Sequence, residues 1–226
     1  MPTPQALISQ LVTAGDPAAL RVRCNLHPPE RRRLALAIPA LDEILGGGFP
    51  RGAISEVFGE PSSGKTTLAH ALIAATIRIG GFAAWIDLSN SFYPRHASDR
   101  VLWVSPRDLV SALRATEHVL EAGGFHVVIL DLEVSTLERS AVPASRWLRM
   151  ARMAARRDAV VLVLSVTHVA GAFAALSLET CAHHRRFVGS RGPCPVFEGF
   201  ASSLHLRRHK YDVPTATVDM YATVEM

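Results

Sequence analysis

From residue 53 onward, short apolar runs of strand length alternate with longer segments of helical period. The runs at 53–58, 82–87, 101–104, 125–131 and 159–165 are rich in Val, Ile, Leu and aromatic residues, as strands buried on both faces of a parallel sheet must be. Between them, 66–79 and 107–122 have helical length, and glycine pairs, Gly80-Gly81 and Gly123-Gly124, end both. Ser105 and Pro106 offer a start signal for the second helix. Strands and helices in alternation predict a parallel sheet with right-handed crossovers. Beyond residue 170 the alternation stops. Runs at 173–181, 200–206 and 215–222, separated by polar or Pro-containing turns, predict antiparallel strands that extend the sheet. The expected fold class is therefore α/β, a three-layer core whose mainly parallel sheet carries antiparallel C-terminal strands.

The first residues follow a different pattern. Thr3 can cap a helix with Pro4 at its first position, Leu7, Ile8, Leu11 and Val12 form one apolar stripe, and Gly15 ends it. Residues 18–36, with Pro28, Pro29 and three consecutive arginines at 31–33, have no sustained period and read as an irregular connection. Two regions are expected: an N-terminal helix and connection over 1–36, serving as a docking segment, and a core over 37–226. The stripe has two equal readings, docking on a neighbour and covering its own core.

Composition narrows the class. Of 226 residues, 49% are apolar and 19% charged, which excludes a disordered chain and suits one domain with a proper core. A net charge of +4 excludes a general polyanion binder. The 24 basic residues include only two lysines, Lys65 and Lys210. Cys24, Cys181 and Cys194 have no CxxC spacing, so free thiols in a reducing compartment are expected rather than a disulfide framework or a zinc site. No basic segment precedes an apolar run at the N-terminus, and the apolar stretch 159–166 is too short to span a bilayer. These features predict a soluble, cytoplasmic protein without membrane contact.

The strongest chemical signal is Gly59-Glu60-Pro61-Ser62-Ser63-Gly64-Lys65-Thr66, which satisfies G-x-x-x-x-G-K-[ST] between a strand and a helix. Its glycines let backbone N–H groups close around phosphate oxygens at a helix N-terminus. Lys65 supplies charge to the β- and γ-phosphates, and the Thr66 hydroxyl suits Mg²⁺. Asp131 ends an apolar strand, where P-loop proteins place a carboxylate for that metal. ATP and Mg²⁺ are the implied cofactors.

With a leucine-aspartate pair, the triplet Gly46-Gly47-Gly48 and a strand running into the P-loop, residues 38–68 resemble the RecA superfamily of ATPases. The run from Glu60 to Thr67 is especially similar to the bacterial RecA loop. The resemblance implies a RecA-like P-loop core that continues to the last strands. It also exposes departures. RecA-type recombinases carry a catalytic glutamate two residues after the position of Asp87, and this chain has Ser89. A hydroxyl without a neighbouring base is a poor proton acceptor, and losing a general base costs roughly 10²–10⁴-fold in rate. Asp87 and Glu133 are the substitute candidates; Glu133 would face the same way as Asp131 if the strand persisted. The two DNA-gripping loops of the family are reduced to 132–143 and 166–172, and the family's γ-phosphate-sensing glutamine is matched by Val166 or Thr167. At most a weak ATPase is expected.

A RecA core without DNA loops or a C-terminal domain resembles the ImuA-type accessory proteins of bacterial damage-inducible (SOS) translesion synthesis. That resemblance implies an ATP-binding partner of RecA, of an error-prone polymerase-like protein, or of both, with self-association and weak or indirect DNA contact as further expectations. It implies that Arg208 and Lys210 match two lysines that RecA extends to a neighbour's ATP, with Arg207 beside them, and that Leu7, Ile8 and Leu11 occupy the segment by which RecA packs on its neighbour. Two basic surfaces, the helical face Arg146, Arg149, Arg152 and Arg156 and the expected loop carrying His183, His184, Arg185, Arg186 and Arg191, are better suited to solvent than to DNA. The rival readings are a DNA-stimulated ATPase or recombination mediator, and a KaiC- or RadB-like regulatory ATPase.

Overall fold

The computed structural model describes residues 32–92, 99–133, 141–188, 196–210 and 217–223. The chain divides into two units, Met1–Glu30 and Arg31–Met226. Leu7, Ile8, Leu11 and Cys24 of the first, and Arg191 and Cys194 of the second, lie outside the described residues.

The second unit opens with a two-stranded ribbon whose first strand lies inside the stretch read as an irregular connection. Strand β1 (Arg33–Leu34) pairs antiparallel with β2 (Phe49–Pro50) around the short helix α1 (Pro39–Ile44). The return is tight: a Cβ on Gly48, whose φ is +117°, would stand 2.3 Å from the Leu34 carbonyl oxygen. Only glycine fits both that approach and that backbone.

The main sheet then builds as the alternating pattern predicts. Its strands are β3 (Ala53–Gly59), β4 (Ala83–Asp87), β5 (Val101–Val104), β6 (Val127–Asp131), β7 (Val160–Ser165), β8 (Ala174–Val188), β9 (Val196–His209) and β10 (Thr217–Thr223). Their order is β10-β9-β8-β3-β7-β6-β4-β5, parallel from β8 to β5 and antiparallel across β8-β9 and β9-β10. The helices between them are α2 (Lys65–Arg78), α3 (Leu109–Ala122) and α4 (Ala144–Arg157).

Side chains alternate across the parallel strands and feed two cores. Val57, Trp85, Val127, Ile129 and Leu162 join Leu68 and Leu72 of α2 on one face. Ile54, Ile86, Val128, Leu130 and Val161 join Leu113 and Leu120 of α3 and Trp147 and Met150 of α4 on the other. The result is the expected α/β arrangement of three layers.

Two local expectations are corrected. Helix α3 is capped by Asp108, whose carboxylate accepts from the Ser111 N–H at 2.7 Å. That N–H would otherwise be an orphan of the first turn, and satisfying it fixes the start two residues after the expected one. Strand β8 does not end near Cys181. Its backbone pairing with β9 continues through His184↔Ala201, Arg185↔Phe200 and Arg186↔Gly199 to Val188↔Val196, across two register shifts beyond Cys181. The basic cluster read as a loop is therefore mostly strand, because cross-strand hydrogen bonds sustain an extended backbone that hydrophobic alternation no longer marks.

Candidate functional site

The P-loop leaves β3 at Gly59, turns through Ser62 (φ +62°) and enters α2 at Gly64, a left-handed N-cap with φ +96°. A Cβ on Gly59 would stand 2.2 Å from the Thr180 carbonyl oxygen, so β8 backs directly onto the loop. Ser63 is buried with its Oγ 2.5 Å from Thr180 Oγ1. Ser202 of β9 places its hydroxyl 2.5 Å from the Ser63 carbonyl oxygen and 3.1 Å from that of Cys181. The loop is braced by side chains more than a hundred residues away.

Lys65 begins α2 with its side chain 1% exposed. Its Nζ donates to the carbonyl oxygens of Gly59 at 2.7 Å and Glu60 at 2.6 Å, and lies 3.4 Å from both Ser63 Oγ and Glu133 Oε2. Burial pulls the ammonium's pKa below its ordinary value, while Glu133, Asp131 and Glu60 oppose that shift. Thr66, half-buried, and Thr67, exposed, follow in the same turn.

Asp131 is fully buried at the end of β6, in register with Asp87 at the end of β4. Its Oδ2 accepts from Ser91 Oγ at 2.5 Å and its Oδ1 from the Glu133 N–H at 3.1 Å. Burial raises its pKa, and the hydrogen bonds from the Ser91 hydroxyl and the Glu133 N–H counter that. Glu133 reaches the site by a route that strand parity did not predict. β6 stops at Asp131, and the turn after it brings the Glu133 carboxylate to Lys65. Its Oε1 is buried without a hydrogen-bond partner among the described residues, and burial raises the pKa of the group against the pull of Lys65.

Asp87 is engaged differently. Oδ1 accepts from the Ser91 N–H at 2.9 Å and from Ser89 Oγ at 3.3 Å, while Oδ2 accepts from the Phe92 N–H at 3.2 Å and from Trp103 Nε1 at 3.1 Å. Four donors occupy the carboxylate and tie the turn after β4. Ser89, at the position where a general base was sought, spends its hydroxyl on that same group.

These residues fit a nucleotide phosphate. A buried ammonium, a helix N-terminus and a glycine-shaped loop converge on one spot, and Lys65 with the backbone of 60–66 would hold the anion. Among the described residues no group of three His, Cys, Asp or Glu side chains could hold a metal by itself. The oxygen donors near the loop are of the kind Mg²⁺ takes together with substrate phosphates: the Thr66 hydroxyl and the Asp131 carboxylate would hold it here.

Beside the loop lies an open cleft of about 510 Å³ lined by Phe58, Glu60, Val166, Thr167, His168 and Thr180 among others. The short connection 166–170 is anchored from within the sheet. Glu56, fully buried in β3, accepts from the Val169 N–H at 2.6 Å and the Ala170 N–H at 2.9 Å, and its Oε2 stands 2.5 Å from His168 Nδ1. Val166 and Thr167 thus share a cleft with the P-loop.

Residues 34–144 match the family model of the RecA N-terminal domain. The fold is RecA-like. Protein RecA of Borreliella afzelii is 43% identical over 98 residues, 40% of this chain and 27% of the relative. Protein RecA of Treponema pallidum is 42% identical over 98 residues, 40% of this chain and 24% of the relative. Protein RecA of Chloroflexus aurantiacus is 37% identical over 136 residues, 55% of this chain and 39% of the relative. The chain thus spans less than two fifths of the length of these curated relatives.

The remaining candidates of the RecA-like core are engaged by other groups. Arg208 stands opposite Ser177 in the β8-β9 register and donates to the Gly171 carbonyl at 3.4 Å; the Lys210 N–H donates to the Ala175 carbonyl. Arg207 pairs with Glu179. Arg146 and Arg149 converge on Glu117 Oε2 at 2.9 and 3.0 Å, joining α4 to α3, whereas Arg152 and Arg156 are exposed. No helix is long and apolar enough to cross a membrane among the described residues. Ser91, Thr180, Ser202, Glu56 and His168 escaped the sequence reading, since no local motif marks them.

Proposed function

We propose that this protein is a RecA-like, ATP- and Mg²⁺-binding accessory factor of cytoplasmic, damage-inducible translesion synthesis, engaging RecA, an error-prone polymerase-like protein, or both. ATP binding stabilises a partner-competent form, and hydrolysis is slow or absent. The observation that carries the reading is the hydrogen bonding around Ser89. The residue at the base position is a hydroxyl bonded to Asp87, and Asp87 itself is occupied by four donors. A P-loop fit for phosphate therefore sits beside a poor water activator. The role in translesion synthesis rests on the resemblance to ImuA-type chains, through the two short connections after β6 and β7.

Glu133 favours a second reading, a DNA-stimulated ATPase, because a carboxylate 3.4 Å from Lys65 Nζ is within reach of a water beside the phosphates. Equilibrium ATP binding and steady-state hydrolysis, with and without single-stranded DNA and RecA, separate the two. The accessory reading expects binding that Lys65→Ala abolishes, and turnover near background under every condition. Turnover that DNA stimulates and Lys65→Ala removes would establish the enzyme instead.

A further inference from the structure

The contact that holds Lys65 is one that a nucleotide must break. Two of its acceptors, the Gly59 and Glu60 carbonyls, belong to the P-loop itself and come with its geometry. Glu133 is different in kind, since it arrives from the turn after β6 and brings a carboxylate to the ammonium. Its side chain is only 14% exposed, and Asp131 two residues earlier is fully buried. These groups are largely withdrawn from solvent, so their charges act on one another more strongly than charges at the surface do. The carboxylate has also lost hydration without finding a second partner, because Oε1 has none among the described residues.

Any anion that Lys65 binds comes within a few ångström of Glu133, as Oε2 stands 3.4 Å from Nζ. On arrival the anion draws the ammonium away, so the carboxylate loses part of its counter-charge and faces phosphate charge of its own sign. A triphosphate brings more of that charge than a diphosphate, so it meets more repulsion.

We propose that Glu133 is a gate on the nucleotide site, a specificity-determining residue that holds Lys65 in the nucleotide-free protein and disfavours a nucleoside triphosphate relative to the diphosphate. The proposal rests on the nucleotide-binding reading above and adds to it the direction of the preference.

The test is equilibrium titration of the purified full chain with fluorescent ATP and ADP analogues in Mg²⁺, for the wild type, Glu133→Gln, Glu133→Ala and Lys65→Ala, with circular dichroism to establish folding. Glu133→Gln keeps the shape and removes the charge, and Glu133→Ala covers the case in which the amide rebuilds a contact to Lys65. Both are expected to tighten the ATP analogue about tenfold, roughly 1.4 kcal/mol, and the ADP analogue clearly less. Equal gains for the two nucleotides, unchanged affinities, or weaker binding in the folded variants would overturn the gate. If the folded wild type and both Glu133 variants bind neither analogue, the nucleotide reading itself fails and takes the gate with it.

Discussion

Asp87 and Glu133 lie at the same end of the sheet, yet their hydrogen bonds assign them different work. Both oxygens of Asp87 are occupied, by the Ser91 and Phe92 N–H groups, the Ser89 hydroxyl and the Trp103 indole, whereas Glu133 faces Lys65 with one oxygen unpaired among the described residues. Asp87 is thus a structural acceptor that fixes the turn after β4, and through Ser91 it sets the neighbour of Asp131. Truncating it would strand several donors in a buried setting, each costing about 1–3 kcal/mol if left unsatisfied. Asp87→Ala is expected to lose about 2–3 kcal/mol after relaxation, lowering the midpoint of thermal unfolding by roughly 5–10 °C. Scanning fluorimetry decides the matter: an unchanged midpoint with altered turnover would make Asp87 a chemical group instead. The sequence could nominate both carboxylates because each lies near a strand end, but it could not separate them. Their donors come from Trp103, from the turn 89–92 and from α2, and only the fold brings those together.

At the scale of the element, the entrance to β6 illustrates how a strand start can be tied and titratable at once. The His126 N–H donates to Phe82 O and its carbonyl accepts from Val160 N, which locks the residue between neighbouring strands. Its Nδ1 is buried without a hydrogen-bond partner among the described residues, and a Cβ on Gly81 would stand 2.9 Å from the ring. Burial first, then the charge of Arg51, lowers its pKa; Asp158 opposes them and Arg32 adds to them. The folded chain therefore binds this proton more weakly than the unfolded chain, in which the ordinary value of 6.5 applies. Its contribution to stability is fully present above that value and is lost as pH falls through it toward the folded-state value. His126→Gln lacks this term, so the difference in unfolding midpoint between wild type and variant should change steadily between pH 7.5 and 5.5, to the detriment of the wild type; a difference independent of pH would refute the assignment. Elements of this kind were legible where their signal was local. The P-loop, Asp131 and the parallel strands follow from runs of a few residues. The length of β8 did not, since after Cys181 its polar and basic residues break the alternation while pairing with β9 continues. The start of α3 was misread for a related reason: Ser105-Pro106 and Asp108 both carry start chemistry, and the bond to the Ser111 N–H decides between them.

For the molecule as a whole, the question is whether the basic end of β9 can serve the P-loop of its own chain. Gly59 is in register with Thr180 of β8, whereas Arg208 lies opposite Ser177 and the Lys210 N–H bonds to Ala175. Lys210 therefore sits about five residues upstream of the P-loop along β8, on the order of 16 Å at ~3.3 Å per residue, and on the strand beyond β8. Within one chain these side chains do not join the phosphate site. If they act on nucleotide at all, it is on that of another protomer or of RecA, where a cation supplied across an interface stabilises phosphate charge. The paired variant Arg208→Ala/Lys210→Ala is then expected to bind ATP like the wild type at concentrations where the chain is dispersed, because Lys65 and its loop are untouched. It should lose most of any ATP-dependent association, with itself or with RecA, as read by mass photometry and sedimentation across a concentration series. The two readouts separate the alternatives, since a local defect would weaken binding at every concentration. A trans role would leave binding intact and shift only the assembly, and weaker ATP binding by the dispersed variant would overturn it.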